Sequence, residues 1–222
     1  MPDRSYLVPA QETRAEIEVI RSRFIATAAP ARTVKEARSF ILDIKRRFAD
    51  ATHNVSAYVV GHGTTVTAHA HDDGEPSGTA GRPALAVLQG SGLGDIVVVV
   101  TRYFGGTKLG TGGLVRAYGD AVREVLSVLP LAMRVPTQTV RIEIPYPLFE
   151  QVRLLIEAHQ GQVLEQDFGI QVTLMARFAM DRVPAFQAAF SELSNGSLGE
   201  IVHTDEATLV PVGTFAGGMK EG

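Results

Sequence analysis

Two polar, glycine-dense stretches hold most of the side chains in this sequence that could do chemistry. The first runs His71-Asp72-Asp73-Gly74-Glu75-Pro76-Ser77-Gly78-Thr79-Ala80-Gly81. Asp72, Asp73 and Glu75 are hard oxygen ligands that could hold Mg²⁺ or Ca²⁺, or supply a general base. Aspartates in so polar a loop more commonly cap backbone N–H groups, and capping is the favoured reading. The spacing is not that of an EF-hand. Ser77 and Thr79 could be nucleophiles, but no Gly-x-Ser-x-Gly elbow surrounds them.

The second stretch is Gly105-Gly106-Thr107-Lys108-Leu109-Gly110-Thr111-Gly112-Gly113. Gly110, Gly112 and Gly113 let a backbone approach a ligand closely. The helix expected to follow would point free N–H groups and a positive dipole end outward. Arg102, Lys108 and Arg116 add positive charge. These residues, with Thr111, make a candidate anion or nucleic-acid site. A turn-rich scaffold packed against a sheet fits the glycines equally well, and both readings stay open. Gly105 and Gly110 have the separation of a Walker A loop, but Thr111 stands where its lysine should be. The two stretches are expected side by side at one end of a sheet. There Arg102, Lys108, Arg116 and a helix N-terminus would offset Asp72, Asp73 and Glu75, so that anions bind without metal. His69 and His71 would share a strand face, and with His53 and Asp73 could ligate a transition metal. Exposed strand-end histidines are the favoured alternative. No metal and no cofactor are called for.

Composition narrows the classes. The chain has 222 residues and no cysteine, so disulfides, zinc-thiolate sites, iron–sulfur clusters and cysteine nucleophiles are excluded. The net charge is −3, which gives no global basic field for nucleic acid. The charge is uneven, however. Residues 1–133 hold 15 Lys and Arg against 13 Asp and Glu, or +2; residues 134–222 hold 6 against 11, or −5. A nucleic-acid surface therefore belongs on the first part. The N-terminal sequence has no unbroken apolar core of a secretory signal. The longest apolar run, residues 96–100, falls far short of the roughly 20 residues that span a bilayer. A cytoplasmic location without membrane contact is expected.

These residues must be positioned by regular elements. Residues 16–29 read as a strand interrupted by Arg21, Ser22 and Arg23. Thr33 and Glu36 form a capping box. After it, Val34, Ala37, Ile41, Ile44 and Phe48 recur at helical spacing, with Lys35, Arg38, Lys45 and Arg46 opposite. Residues 55–60 and 64–70 suggest a hairpin around Gly61-His62-Gly63. Pro83 opens a helix to about residue 89, residues 95–102 form a strand covered on both faces, and a helix spans 111–129. Pro130 and Pro136 suggest a linker. Beyond it come strand 138–144, helix 148–159, strands 162–167 and 170–178, helix 183–193 and strand 199–209, the βαββαβ order of a ferredoxin-like domain. The expected domains are 1–133 and 134–213, with a flexible tail over 214–222.

The two loops also carry a resemblance. The acidic stretch, together with Val99-Val100-Thr101-Arg102-Tyr103-Phe104 leading through the glycine loop to Leu114-Val115-Arg116-Ala117-Tyr118, resembles the IMPACT/YigZ family. Ser22-Arg23-Phe24-Ile25 and Ala51-Thr52-His53-Asn54 match its pattern too. Val55 stands where the family often has cysteine. His69-Ala70-His71 replaces a more usual aromatic–serine lead. The resemblance implies an α+β protein of two domains. The first would be like ribosomal protein S5 domain 2, and the second a ferredoxin-like domain resembling the C-terminal domain of elongation factor G. It brings no secure catalytic activity. Its eukaryotic relative is a translation regulator acting through protein partners in amino-acid-starvation signalling. The expected function is a translation-related regulator that binds nucleic acid or the ribosome without catalysis, its partners being RNA, the ribosome or a translation-related protein met through the first domain. Two alternatives stay open: an enzyme acting on a phosphorylated small molecule or nucleotide between the loops, and a regulator that binds protein partners only.

Overall fold

A computed structural model describes residues 5–196, 200–202 and 207–214. They divide into two compact units, one built on Tyr6–Met133 and the other on Arg134–Leu209. The elements of the first are β1 (Tyr6–Pro9), β2 (Thr13–Val19), β3 (Ser22–Pro30), α1 (Val34–Arg47), β4 (His53–His62), β5 (Thr65–His71), α2 (Gly81–Gly90), β6 (Ile96–Tyr103) and α3 (Gly110–Ser127). Next, β7 (Pro130–Ile144) carries the chain into the second unit. There α4 (Phe149–Ala158), β8 (Gln162–Phe168), β9 (Val172–Ala179), α5 (Val183–Leu193), β10 (Glu200–Val202) and β11 (Ala207–Thr214) follow.

The first unit is a sheet of order β2-β3-β6-β4-β5, antiparallel throughout. Residues 96–100 of β6 are fully buried because helices cover both faces. On one face Phe24, Val55, Val98 and Val100 pack under Leu88 of α2 and Tyr118 and Val122 of α3. On the other, Tyr58 and Val97 meet Ala37 of α1. Thr33 caps α1 as its spacing predicts: its hydroxyl oxygen accepts from the Glu36 N–H, while the Glu36 carboxylate accepts from the Arg32 N–H. The register decides what shares an end of this sheet. Both β5 and β6 are antiparallel to β4, so they run parallel and finish at the same end. There β3 and β4 begin, with Arg23 opposite Tyr103 and His53 opposite Arg102.

The second sheet has the order β1-β7-β9-β8, and β10 and β11 pair β7 as well, so the second unit's own strands run β10-β7-β9-β8. Val172, Leu174, Ala176 and Phe178 alternate toward one face, where Val152 and Ile156 of α4 and Phe186 and Phe190 of α5 cover them. With the βαββαβ order, this is the ferredoxin-like arrangement.

Three sequence expectations are corrected. Residues 16–29 are the two strands of a hairpin. The turn is Ile20-Arg21, both at positive φ (47° and 62°), and neither residue carries the Gly, Asn or Asp that marks such a turn. Residues 130–136 are strand, not linker. Pro130 opens β7, and Pro136 precedes the ladder that β7 forms with β9 from Thr137 onward, so neither proline removes an N–H from that ladder. Residues 199–209 hold β10 and the first part of β11 as separate strands, with 199 and 203–206 outside the described residues. Of the tail expected over 214–222, all but Thr214 lies outside them too. Among the described residues no helix is long and apolar enough to cross a membrane.

Candidate functional site

The acidic stretch leaves the end of β5 and the glycine loop leaves the end of β6, so both sit at one end of the first unit's sheet. Each carboxylate has a different task there. Asp72 lies before α2 but caps it from a distance: Oδ2 accepts from the Gly78 N–H at 2.8 Å, and Oδ1 from Gly81 at 2.7 Å and Ala80 at 3.1 Å. Burial pushes this carboxyl up, but the three backbone donors outweigh it and the net shift is downward. Asp73, at φ 49°, ties the loop to two neighbours. Its carboxylate accepts from Lys45 of α1 and from the Asn54 N–H of β4. Burial raises its pKa, and Lys45 with the Asn54 N–H lowers it by more.

Glu75 goes inward. Its Oε1 accepts from Arg102 Nη1 at 2.6 Å and from the Tyr118 hydroxyl at 2.7 Å. Both the Glu75 and Arg102 side chains are almost wholly buried. Burial, then the Glu75 hydrogen bond, pushes the Tyr118 hydroxyl far up, so it stays a donor. Arg102 Nη2 also reaches Ser22 Oγ at 3.4 Å, and that oxygen accepts from the Gly105 N–H at 3.2 Å. The guanidinium lies over the Phe24 ring and the Phe104 ring, 5.4 and 5.6 Å from their centroids. One buried pair thus pins the acidic loop, the end of β6, the start of β3 and α3 together.

His53 completes the network. Its Nδ1 sits 2.8 Å from the Asp73 carbonyl, which can only accept, so Nδ1 carries the proton. Nε2 then faces Glu75 Oε1 at 3.9 Å. The other candidate metal ligands do not complete a site, although His71 Nδ1 lies 3.9 Å from Asp73 Oδ1. His71 Nδ1 accepts from the Asp73 N–H, and His69 stacks on Tyr58. Among the described residues no three His, Asp or Glu side chains converge as a metal group. Thr79 is buried and donates to the Pro76 carbonyl at 2.7 Å, while Ser77 is exposed.

The glycine loop contrasts with this tied interior. Lys108, Gly110, Thr111, Gly112 and Arg116 are exposed and Gly113 is half-buried. Leu109, the residue that opens α3, makes no side-chain cap, and the first turn carries no acid. A Cβ added at Gly110 or Gly112 would meet nothing within 4 Å. Gly105 differs: its Cβ would fall 2.1 Å from the Arg21 carbonyl, so the β2–β3 turn lies directly against the loop. The sequence grouped Arg102 with Lys108 and Arg116 as an anion ligand. The fold places Arg102 inside, committed to Glu75, and leaves the exposed positive charge to Lys108 and Arg116. Arg21 and Arg82, exposed at the same end, were not singled out from the sequence. His53 was named there only as a possible metal ligand, and neither Ser22 nor Tyr118 was given a role in the site. A tyrosine on the buried stripe of α3 is the local sign that a polar partner lies below it.

A mixed α/β unit bearing this loop pair, followed by a ferredoxin-like unit, defines a class of two-domain proteins. A family model for the Impact N-terminal domain matches residues 20–126, and one for a domain of unknown function (DUF1949) matches residues 142–197. An IMPACT family member from Haemophilus influenzae is 38% identical over 87% of this chain and 94% of its own length. IMPACT family member YigZ of Escherichia coli is 36% identical over 87% of this chain and 96% of its own. A crystal structure described as that of a hypothetical protein shares 34% identity. It covers 91% of this chain and 98% of that one, with a TM-score of 0.64. The chain belongs to the IMPACT family.

Proposed function

We propose that the chain is a non-catalytic, translation-related regulator whose first unit binds RNA, free or within the ribosome, at the sheet end carrying the two glycine loops. The observation that carries this reading is the division of charge at that end. Asp72 is bound by backbone N–H groups, Asp73 by Lys45 and Glu75 by Arg102. Lys108, Arg116, Arg21 and Arg82 are exposed and have no carboxylate partner among the described residues. The uncapped first turn of α3 stands beside the glycine loop, where phosphate oxygens can approach the backbone. Phe104, about half exposed and backed by Arg102, offers a ring face to an unpaired base.

The test is fluorescence anisotropy of a short labelled single-stranded RNA with the full chain in EDTA. Binding that weakens as salt rises, and that Lys108→Glu with Arg116→Glu abolishes, is the expected result. Binding that needs added Mg²⁺ would move the reading to a phosphate-processing enzyme. No binding of RNA or ribosomes would leave a regulator that meets only protein partners.

A further inference from the structure

Among the described residues the second unit has an unpaired sheet edge whose chemistry differs from that of the loop end. β8 ends the strand order, and its outer edge has no partner strand among the described residues. Between β8 and α4 lies a groove of about 420 Å³, lined by Phe149, Arg153, Ile156, Val163, Leu164 and Leu174. Its apolar surface continues at one end into Tyr146, Phe168 and Ile170, all at least half exposed. That end is held in place. The Tyr146 hydroxyl donates to the Gly169 carbonyl at 2.9 Å, and the Phe168 ring meets Phe149 at 5.4 Å.

Charge selects the occupant. Glu165 and Asp167 pair across the ladder with Met175 and Thr173, so they project from the face opposite Gln166 and the groove. β8 contains no Lys or Arg. Arg153, on the groove rim, is already paired with Glu150 and Glu157. Two copies of β8 laid edge to edge would set these acids against each other, a device that blocks self-pairing. Nucleic acid and anionic lipid are repelled on the same ground. A strand of opposite charge meets no such barrier. We infer that the free edge of β8 and the groove beside it bind an extended peptide segment of another protein by strand addition, with apolar side chains in the groove and alternate Lys or Arg beside Glu165 and Asp167. This surface is separate from the RNA reading and stands or falls without it.

The test uses the full chain and a blocked synthetic peptide of alternating Val and Lys, with Val–Glu and Gly–Lys peptides as controls. Calorimetry gives affinity, and amide hydrogen exchange reports the β8 edge. The Val–Lys peptide is expected to bind and to slow exchange along β8, while neither control does. Leu164→Asn should weaken binding roughly tenfold, and Phe168→Asn provides the same check should the first variant lose its fold by circular dichroism. Glu165→Lys with Asp167→Lys should reverse the preference to Val–Glu. Equal binding of Gly–Lys, a preference unmoved by the charge reversal, or a chain already dimeric with β8 protected would each overturn the inference.

Discussion

Asp72 shows how a residue that looks like a ligand can be structural. It holds the start of α2 through three backbone N–H groups, the farthest nine positions along the chain. Losing a capping side chain costs about 0.5–2 kcal/mol, and a charged acceptor with three donors belongs at the upper end, so Asp72→Ala should lower stability by about 2 kcal/mol at neutral pH. The folded pKa is depressed. The ionic part of that stability is present above the unfolded value of about 3.9 and is lost as pH falls through the folded one. Urea unfolding at neutral pH and near pH 3 should therefore show the gap between Asp72→Ala and the parent narrowing in acid; a constant gap would mean the carboxylate charge contributes nothing. Glu75 and Arg102 make a sharper case. Removing one member of a buried ion pair costs about 3–5 kcal/mol, while replacing both with apolar residues costs less than the sum. Glu75→Leu and Arg102→Met should each destabilise strongly and combine sub-additively in a double-mutant cycle; additivity would show that the two act independently. The sequence made the capping role of Asp72 legible, because polar loops ahead of helices need acceptors. It could not separate Arg102 from Lys108 and Arg116. That separation depends on alternation along β6, which sends Arg102 to the face under α3, and on Tyr118 converging there from another element.

At the scale of elements, glycine has two different meanings in one loop. Gly105 has no room for a side chain, since a Cβ would strike the Arg21 backbone at 2.1 Å. Gly112 stands in the first turn of α3 with nothing within 4 Å and needs no special backbone angle. Helix propensity alone favours alanine there by roughly 0.5–1 kcal/mol. Gly112→Ala should therefore raise the unfolding midpoint while weakening RNA binding, because a methyl group would keep phosphate from the backbone. Gly105→Ala should lower the midpoint. A Gly112→Ala variant that is both more stable and fully RNA-competent would remove the case for close backbone approach at α3. The same scale explains what was hidden. The helices and the buried strand β6 were legible from periodicity, from the Thr33–Glu36 box and from an unbroken apolar run. The β2–β3 hairpin was not, because Ile20 and Arg21 enter positive φ without the residues that ordinarily permit it. They are held there by the ladder that closes with Val19 opposite Ser22.

Across the whole molecule, charge divides in the same place as the cores. The first unit has its own apolar clusters around β6, and the second has another around Phe178, Phe186 and Phe190. The net charges of +2 and −5 make this division legible in the sequence alone. What composition could not give is which cations remain available, since that depends on pairing. Arg23 is held by Glu16, Arg47 by Glu12 and Arg123 by Asp120, and Arg102 lies inside. Lys108, Arg116, Arg21 and Arg82 therefore stay available at the loop end, while Arg32, Lys35, Arg38 and Arg46 stand exposed before and along α1. Polyanion binding releases counterions, and each phosphate contact with a single strand contributes about 0.7 to the slope of log affinity against log salt. Replacing Lys108 and Arg116 together with alanine should flatten that slope by roughly 1.4. Arg153→Ala with Arg177→Ala, in the acidic unit, should leave it unchanged. Titrations of the full chain between about 50 and 200 mM salt resolve the two outcomes. Equal flattening by both pairs would mean that RNA contacts are not confined to the first unit. A steeper loss from the pair in the second unit would place the polyanion site there, against its net charge.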